Sequence, residues 1–333
     1  MALSRAVLLV LFVVVGHAGL ASGQSLTAEA DVTAGHSTDD ISSLATQLRA
    51  FGDLKAGVRF YLESAWARRS DKESDAFAAA YPYGGHFDVI ETYGERLFTP
   101  GRGLVGIRAG RYRTPFGIAG RSDHAYAGFL RPPLIRYDDY FALSNTFLEH
   151  GADVIAGLPQ LYVEASLGAP ADVGDAKRRH GLDSVVRLQA YHGPLIVGLS
   201  RIWTQPTQPE SFARGRAEFT GLDVRWMHDG VLVRGEWITG QPFDGTTTDG
   251  WYADLMLHRA AMGPVTAVMR VEQLNYNIAS EYALHARRVT VGAKVRLPRG
   301  LTAQVNLLRQ SGNLPVSRAI PVDLALTYSF RLH

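Results

Sequence analysis

The most constraining feature of this chain is an alternation of apolar and polar side chains with a period of two residues. It is clearest in residues 286–312, where Val289 and Val291 are apolar and their neighbours are arginine, threonine and glycine. A period of two indicates a β-strand with two unlike faces. A soluble sandwich buries the apolar face of such a strand, whereas a membrane barrel turns that face to lipid and the polar face to water. The rest of the sequence has to decide between these two folds.

Similar segments recur along the chain, and the way they are joined is informative. Alternation appears in sixteen segments of roughly 8–13 residues, close to the length of a tilted membrane strand. It is weakest in HFDVIETYGERL. Short joins such as Gly52-Asp53 carry turn-forming residues. They alternate along the chain with longer polar joins at 68–85, 170–182, 205–216, 241–249, 276–286 and 311–320. Short turns that alternate with long loops predict an all-β fold, a transmembrane antiparallel β-barrel of about sixteen strands.

The faces that we predict to be polar carry many charges. A dry core could hold them only if each were paired, whereas a water-filled lumen holds them at little cost. We therefore expect the apolar faces to meet lipid and the polar faces to line water. The basic residues are Arg49, Lys55, Arg59, Arg108, Arg187, Arg225, Arg234, Arg270, Arg288, Lys294, Arg296 and Arg331, and they exceed the acidic residues Glu63, Asp153, Glu164, Asp223, Glu236, Asp254, Glu272 and Asp323.

The amino terminus predicts export. Arg5 precedes an apolar run over residues 6–16, and Ala21-Ser22-Gly23 supplies small residues, which is the pattern of a secretory signal peptide. We expect residues 1–23 to be the signal peptide and residues 24–333 to form one barrel domain. A membrane-anchor helix is the alternative, although the run is short for a span. Together with the alternation, this pattern predicts that the protein lies in the outer membrane of a Gram-negative-type bacterium. The lipid of that membrane would be its surrounding partner.

Composition excludes several other classes of protein. The net charge of +2 gives no indication of a nucleic-acid partner. The absence of cysteine excludes disulfides, thiolate nucleophiles and cysteine-bound zinc. The eleven histidines show no metal-binding spacing such as His-Glu-x-x-His, so we expect no metal and no cofactor.

The longest join, residues 114–150, comes after the fifth strand and predicts a functional loop. Its many aromatic and aliphatic residues argue against disorder, and a loop of this length is usually functional. Folded into the barrel, it would narrow the lumen, where guanidinium groups would favour anions. The anion-facing candidates in and before it are Arg108, Arg111, Arg113, Arg121, Arg131 and Arg136.

Two further sets of residues complete the predicted site. We expect Asp123, Asp138 and Asp139 to anchor or tune the loop. The wall of the lumen would be lined by Lys55, Arg59, Arg288, Lys294 and Arg296. The alternative is that the charges of the loop only pin it to the wall through ordinary ion pairs.

The stretch GRYRTPFG, residues 110–117, resembles the sequence before the constriction loop in the phosphate-selective porin family (outer-membrane porin O/P type). HAYAGFLRPP and HGADVIAGLPQLYVEASLG are similar to the next part of the sequence in that family, so the resemblance covers about residues 104–168. It implies a sixteen-stranded, trimeric outer-membrane barrel whose third loop folds into the lumen and whose arginine and lysine rows conduct anions. Phosphate selectivity is not carried over, because this sequence has no dense lysine cluster.

Three functions are compatible with these patterns. The first is a non-enzymatic porin for passive diffusion of small hydrophilic solutes, with a mild preference for anions. The second is a structural or adhesive barrel whose lumen is plugged by ion pairs. The third is a barrel enzyme, for which only Ser122-Asp123-His124 and Glu149-His150 offer suitable clusters, and neither lies in a nucleophile motif.

Overall fold

Every strand of the chain pairs antiparallel with the strands before and after it, and the first strand pairs with the last. The computed structural model describes residues 25–54, 57–70, 84–118, 127–136, 148–171, 181–205, 217–242, 246–278, 282–313 and 320–332. The result is a closed barrel of sixteen strands, which confirms the predicted fold class. The strands are β1 (Ser25–Ser37), β2 (Ser42–Asp53), β3 (Val58–Arg69), β4 (Gly84–Phe98), β5 (Leu104–Arg113), β6 (Leu148–Leu158), β7 (Leu161–Pro170), β8 (Asp183–His192), β9 (Leu195–Thr204), β10 (Ala217–His228), β11 (Val231–Gln241), β12 (Thr246–Leu257), β13 (Val265–Ile278), β14 (Tyr282–Arg296), β15 (Leu301–Gly312) and β16 (Val322–Leu332).

The two ends of the barrel differ in their connections. At one end the strands are joined by short turns, such as residues 159–160, 193–194 and 229–230. Asp229 and Gly230 both have positive φ, 47° and 72°, which is the left-handed geometry of the tight hairpin turn that Asp-Gly favours. The longest joins, such as 114–147 and 171–182, lie at the opposite end, together with short joins such as 38–41. In outer-membrane barrels the short turns face the periplasm and the long loops face outward.

Several strands extend further than the alternation predicts. The join expected at 241–249 spans only residues 242–245, and the one expected at 276–286 spans only 279–281. The long loop covers 114–147, because Leu148–His150 already belong to β6. The alternation with an apolar outer face ends where a strand leaves the lipid, whereas the hydrogen-bonded ladder continues beyond that point.

The apolar faces point outward, as the sequence predicts. On β14, Val289 and Val291 are 40% and 42% exposed, whereas the alternate residues Arg288 and Thr290 are only 2% and 4% exposed. The same contrast appears on β16, where Leu324 and Leu326 are exposed and Asp323 is buried. The polar face therefore lines the interior of the barrel. Within the described residues, no helix is long and apolar enough to cross a membrane.

This facing predicts a depth-dependent cost for charge on the outer face of β14. We expect Val291→Arg, in the middle of the apolar band and 42% exposed, to lower the free energy of unfolding by about 2–4 kcal/mol. Leu297→Arg is the matched control, since Leu297 is equally exposed but lies just beyond the strand end, where the cost is about 0–1 kcal/mol. Urea unfolding of both variants in lipid vesicles measures the difference, and equal costs would contradict the assigned facing.

Candidate functional site: the lumen and the segment that crosses it

The long loop after β5 enters the barrel, in agreement with the prediction. In its described parts, residues 114–118 and 127–136, Phe116 and Ile135 pack in one buried cluster with Ile202, Phe219 and Ile238 of the wall. Inward-facing apolar residues would be unfavourable in contact with lumen water. Here they pack against apolar side chains of the loop, and this packing fixes the loop to one wall.

Two wall glycines make room for this packing. A Cβ atom on Gly221 would lie 3.0 Å from the ring of Phe116, and one on Gly250 would lie 2.7 Å from Cγ2 of Ile135. Real Cβ contacts are rarely this close, so larger residues at either position would push the loop away from the wall.

Side chains of the wall also satisfy the backbone of the loop in residues 127–136, which form no strand ladder. Asn306 on β15 accepts a hydrogen bond from the amide of Leu130 at 2.7 Å and donates one to the carbonyl of Gly128 at 3.0 Å. Glu272 on β13 accepts one from the amide of Leu134 at 2.6 Å. The loop is therefore held by specific polar contacts as well as by apolar packing.

Asn306 offers a direct test of this attachment. Asn306→Ala would leave the amide of Leu130 and the carbonyl of Gly128 without this partner, at a cost of about 1–3 kcal/mol for each buried group. We expect faster proteolysis of the loop in the folded barrel, measured by mass spectrometry of the fragments. Asn306→Asp keeps the acceptor for Leu130 and should have a smaller effect. Equal protection of the loop in all three proteins would contradict the role of Asn306.

Arg131 lies in the lumen, where it is bound to carboxylates of the wall. Its guanidinium donates two hydrogen bonds to Asp323 on β16, at 2.7 and 3.0 Å, and one to Asp39 in the turn after β1, at 3.0 Å. Ser37 accepts a fourth at 3.1 Å. Both carboxylates are almost fully buried. For this residue the geometry favours the alternative in which loop charges pin the loop to the wall.

Arg108 and Arg113 also lie among carboxylates. Arg108 on β5 pairs with Glu95, Asp153 and Glu164 at 2.8, 3.1 and 3.3 Å, and its guanidinium lies 4.9 Å from the ring centre of Tyr93. Because Arg108 contacts three carboxylates, its positive electric field in the lumen is largely compensated.

Arg113 stands at the end of β5, where the chain turns into the lumen. Its guanidinium bridges Glu63 at 2.7 Å and Glu91 at 2.9 Å. These contacts tie the start of the loop to β3 and β4.

Arg111 is on the opposite face from the one we predicted. It pairs in register with His150 of β6, and its guanidinium lies 3.5 Å from the His150 ring on the outer surface. The reason is strand alternation, because Arg108 and Tyr112 point inward and Arg111 therefore points outward. The prediction that Arg111 faces the pore is wrong.

Arg136 is another of the predicted anion-facing residues. Its backbone forms the end of a 3-10 turn that begins at Leu134.

The described members of the predicted wall set lie on the inward face but in different surroundings. Arg288 is buried and pairs with Glu272 at 2.7 Å. Lys294 is half-buried further along β14, and Arg296 is exposed at the short-turn end. Arg59 is exposed at the same end and pairs with Asp53 at 3.2 Å. The remaining predicted residues lie outside the described residues: Lys55, Arg121, Asp123, Asp138 and Asp139.

Ion pairs between adjacent strands form much of the inner wall. Asp254 on β12 lies directly opposite Arg234 on one side and Arg270 on the other, with contacts of 2.9 and 2.6 Å. Arg187 and Asp223 form a similar buried pair at 2.7 Å. These carboxylates compensate positive charges among the basic residues that the sequence predicts in the lumen.

Sequence reasoning missed several of the carboxylates in this network. They are Glu29, Asp31, Glu91, Glu95 and Glu149. Glu29 and Asp31 occupy alternate positions on the first strand, so a stricter reading of its polar face would have found them. With these residues included, the basic excess predicted for the lumen disappears.

The clusters proposed for an enzyme are not assembled in the described residues. Glu149 is buried in the lumen and accepts a hydrogen bond from Ser166 at 2.5 Å, whereas His150 next to it lies on the outer face. Ser122, Asp123 and His124 lie outside the described residues. The described part of the chain also contains no group of three or more histidine and acidic side chains that could hold a metal ion.

Comparison with known proteins places the fold among outer-membrane porins. The sequence matches no family profile and no curated protein. OmpF of Salmonella typhi, solved as a complex with daunomycin, is similar with a TM-score of 0.63 at 10% identity, over 92% of this chain and 97% of that one. An anion-selective porin from Comamonas acidovorans is similar with a TM-score of 0.61 at 12% identity, over 92% and 99% of the two chains.

A loop-deletion mutant of OmpT, an outer membrane protein of Vibrio cholerae, has a TM-score of 0.61 at 9% identity over 92% and 99% of the two chains. Identities this low show a shared fold and no more. The resemblance to the phosphate-selective porin family therefore stays a prediction, and the chain has the fold of an outer-membrane porin.

Proposed function

We propose that this protein is a non-enzymatic porin that lets small hydrophilic solutes diffuse passively across the outer membrane. The observation that carries the proposal is the division between the two faces of the closed wall, apolar outside and charged inside. A charged interior is stable when water fills it, and a closed ladder leaves no unpaired edge in the lipid. We also propose that residues 1–23 direct export and that three copies assemble, as the porin resemblance implies.

A mild preference for anions belongs to the same proposal, with a narrower set of residues than the sequence suggested. Positive charges that are bound to carboxylates, such as Arg108 and Arg131, attract little from the lumen. Arg296 on β14 is exposed on the inward face, at the short-turn end of the barrel. Together with the loop residues Arg121 and Arg136, it is the best candidate to favour anions.

The second candidate is a plugged barrel without a conducted solute. The loop that packs across one wall and the ion pairs between adjacent strands favour it. The two candidates differ in conductance, which a planar bilayer measures directly.

We expect refolded protein in a planar bilayer under a KCl gradient to give stepwise conductance and a zero-current potential that favours chloride. The variant Arg296→Gln should reduce this preference, since it removes an exposed positive charge from the inward face. Arg96→Gln is the matched control, because Arg96 lies at the same end of the barrel on the outer face.

Each outcome decides between the candidates. Conductance without ion preference would keep the porin and reject the proposed anion preference. An equal shift in the control variant would reject the role of Arg296. A folded barrel that gives no conductance would support the plugged barrel instead.

A further inference from the structure

The outer surface of β13–β15 carries basic side chains next to its apolar band. Arg287 on β14 lies opposite Ser311 of β15, and Arg309 of β15 lies opposite Val289 of β14. The two arginines are therefore diagonal neighbours on one face, where side chains come within reach of each other. Both are exposed on the outward side.

Their position places them at the boundary between lipid tails and headgroups. Val289 and Leu307, the next outward residues toward the middle of the strands, are 40% and 45% exposed and belong to the apolar band. Trp251 on β12 pairs with Gln273 on β13, which in turn pairs with Arg287. Tryptophan side chains gather at membrane interfaces, so this row of residues runs along the interface at the long-loop end.

Within the described residues, the outward side chains of β13, β14 and β15 include no acidic group. The outward acid of the neighbouring strand β12, Asp249, accepts a hydrogen bond from Asn275 of β13 at 3.0 Å. Arg201 on the outer face of β9 is different, because Glu218 and Thr220 of β10 bind its guanidinium. Arg287 and Arg309 thus present two positive charges to whatever lies beside the barrel at this depth.

We propose that Arg287 and Arg309 bind the phosphate group of an anionic lipid in the outer leaflet. Guanidinium groups match phosphate oxygens through paired hydrogen bonds, and Gln273, His285 and Ser311 surround them with further polar groups. A lipid fits better than a free ion, because its acyl chains can lie on Val289 and Leu307 while its headgroup meets the arginines. Such a lipid would be held at a fixed place on the barrel, independent of what passes through the lumen.

The test compares lipid retention by variants in a neutral detergent. Native mass spectrometry measures binding from an equimolar mixture of phosphatidylglycerol and phosphatidylcholine. We expect the wild-type barrel to retain phosphatidylglycerol preferentially, and the double variant Arg287→Gln/Arg309→Gln to lose affinity for it on the order of tenfold or more. Arg201→Gln, which removes an arginine that the protein already pairs, should retain the lipid like the wild type.

Four results would overturn the proposal. The first is equal phosphatidylglycerol retention by the double variant, provided that heat-modifiable migration shows it folded. The second is the same loss in Arg201→Gln, since the effect would then be one of overall charge. The third is displacement of the lipid by inorganic phosphate at equal concentration, which would make a free anion the ligand. Loss of the oligomer with unchanged lipid binding would assign this face to contacts between copies and would reject the lipid site.

Discussion

Replacing Asp254 with alanine is expected to lower the free energy of unfolding of the barrel by about 3–5 kcal/mol. The carboxylate of Asp254 is fully buried and contacts Arg234 at 2.9 Å and Arg270 at 2.6 Å. Its removal would leave the two guanidinium groups on either side of position 254 without this carboxylate between them. Arg270 has little freedom to move away, because its guanidinium also lies 4.0 Å from the ring centre of Phe129 in the loop.

The exposed pair of Asp53 and Arg59 provides a matched control for this prediction. The two side chains are 56% and 60% exposed and lie 3.2 Å apart at the short-turn end. Asp53→Ala should cost less than about 1 kcal/mol, since exposed pairs contribute little. Urea unfolding in lipid vesicles, monitored by tryptophan fluorescence, compares both variants with the wild type. Similar losses in the two variants would mean that lumen water screens the buried pair as well as the exposed one.

The sequence predicted the architecture because the constraint behind it is local. A strand between lipid and water needs one apolar and one polar face, and this shows directly in neighbouring residues of β14 such as Val289 and Arg288. The alternating turn lengths result from threading such strands through a membrane. Strand number and closure therefore needed no knowledge of side-chain contacts across the barrel.

The weakest predicted strand has a physical explanation. In β4, the pairing with β3 shifts register between Glu63 and Ser64. Ile90 and Glu91 are consecutive and both buried, whereas Val89 is exposed. A β-bulge adds one residue to the strand, so the period of two changes phase within it. A search that assumes a single phase finds no regular alternation in such a strand. It therefore fails to identify the inward-facing carboxylates of the strand.

The roles of the arginines were harder to predict, because they depend on partners from distant parts of the chain. Arg131 meets Asp39 and Asp323, which are separated from it by 92 and 192 residues. Arg111 was misplaced because each inward assignment depends on counting from the correct residue of the strand. Residue type could identify charges in the lumen, but only the register shows which of them are paired.

The pairing of Arg131 leads to the second large prediction, which concerns the conductance of the channel. Arg131→Ala would leave the buried carboxylates of Asp39 and Asp323 without this guanidinium, at a cost of about 3–5 kcal/mol. Because about 1.4 kcal/mol corresponds to a factor of ten, the population in which this part of the loop is detached should rise about a hundredfold or more. We expect single-channel recordings to show steps to higher conductance and a shift of the zero-current potential toward cations.

The control must remove the same charge without releasing the loop. Arg331→Ala does so, because Arg331 pairs with Glu29 on the inward face near the end of β16 and is 57% exposed. It should shift ion preference in the same direction, since it also deletes one positive charge from the lumen, but leave the conductance steady. If both variants gave the same steady traces, Arg131 would contribute only its charge, and the attachment of the loop would depend on Asn306 and the apolar packing of Phe116 and Ile135.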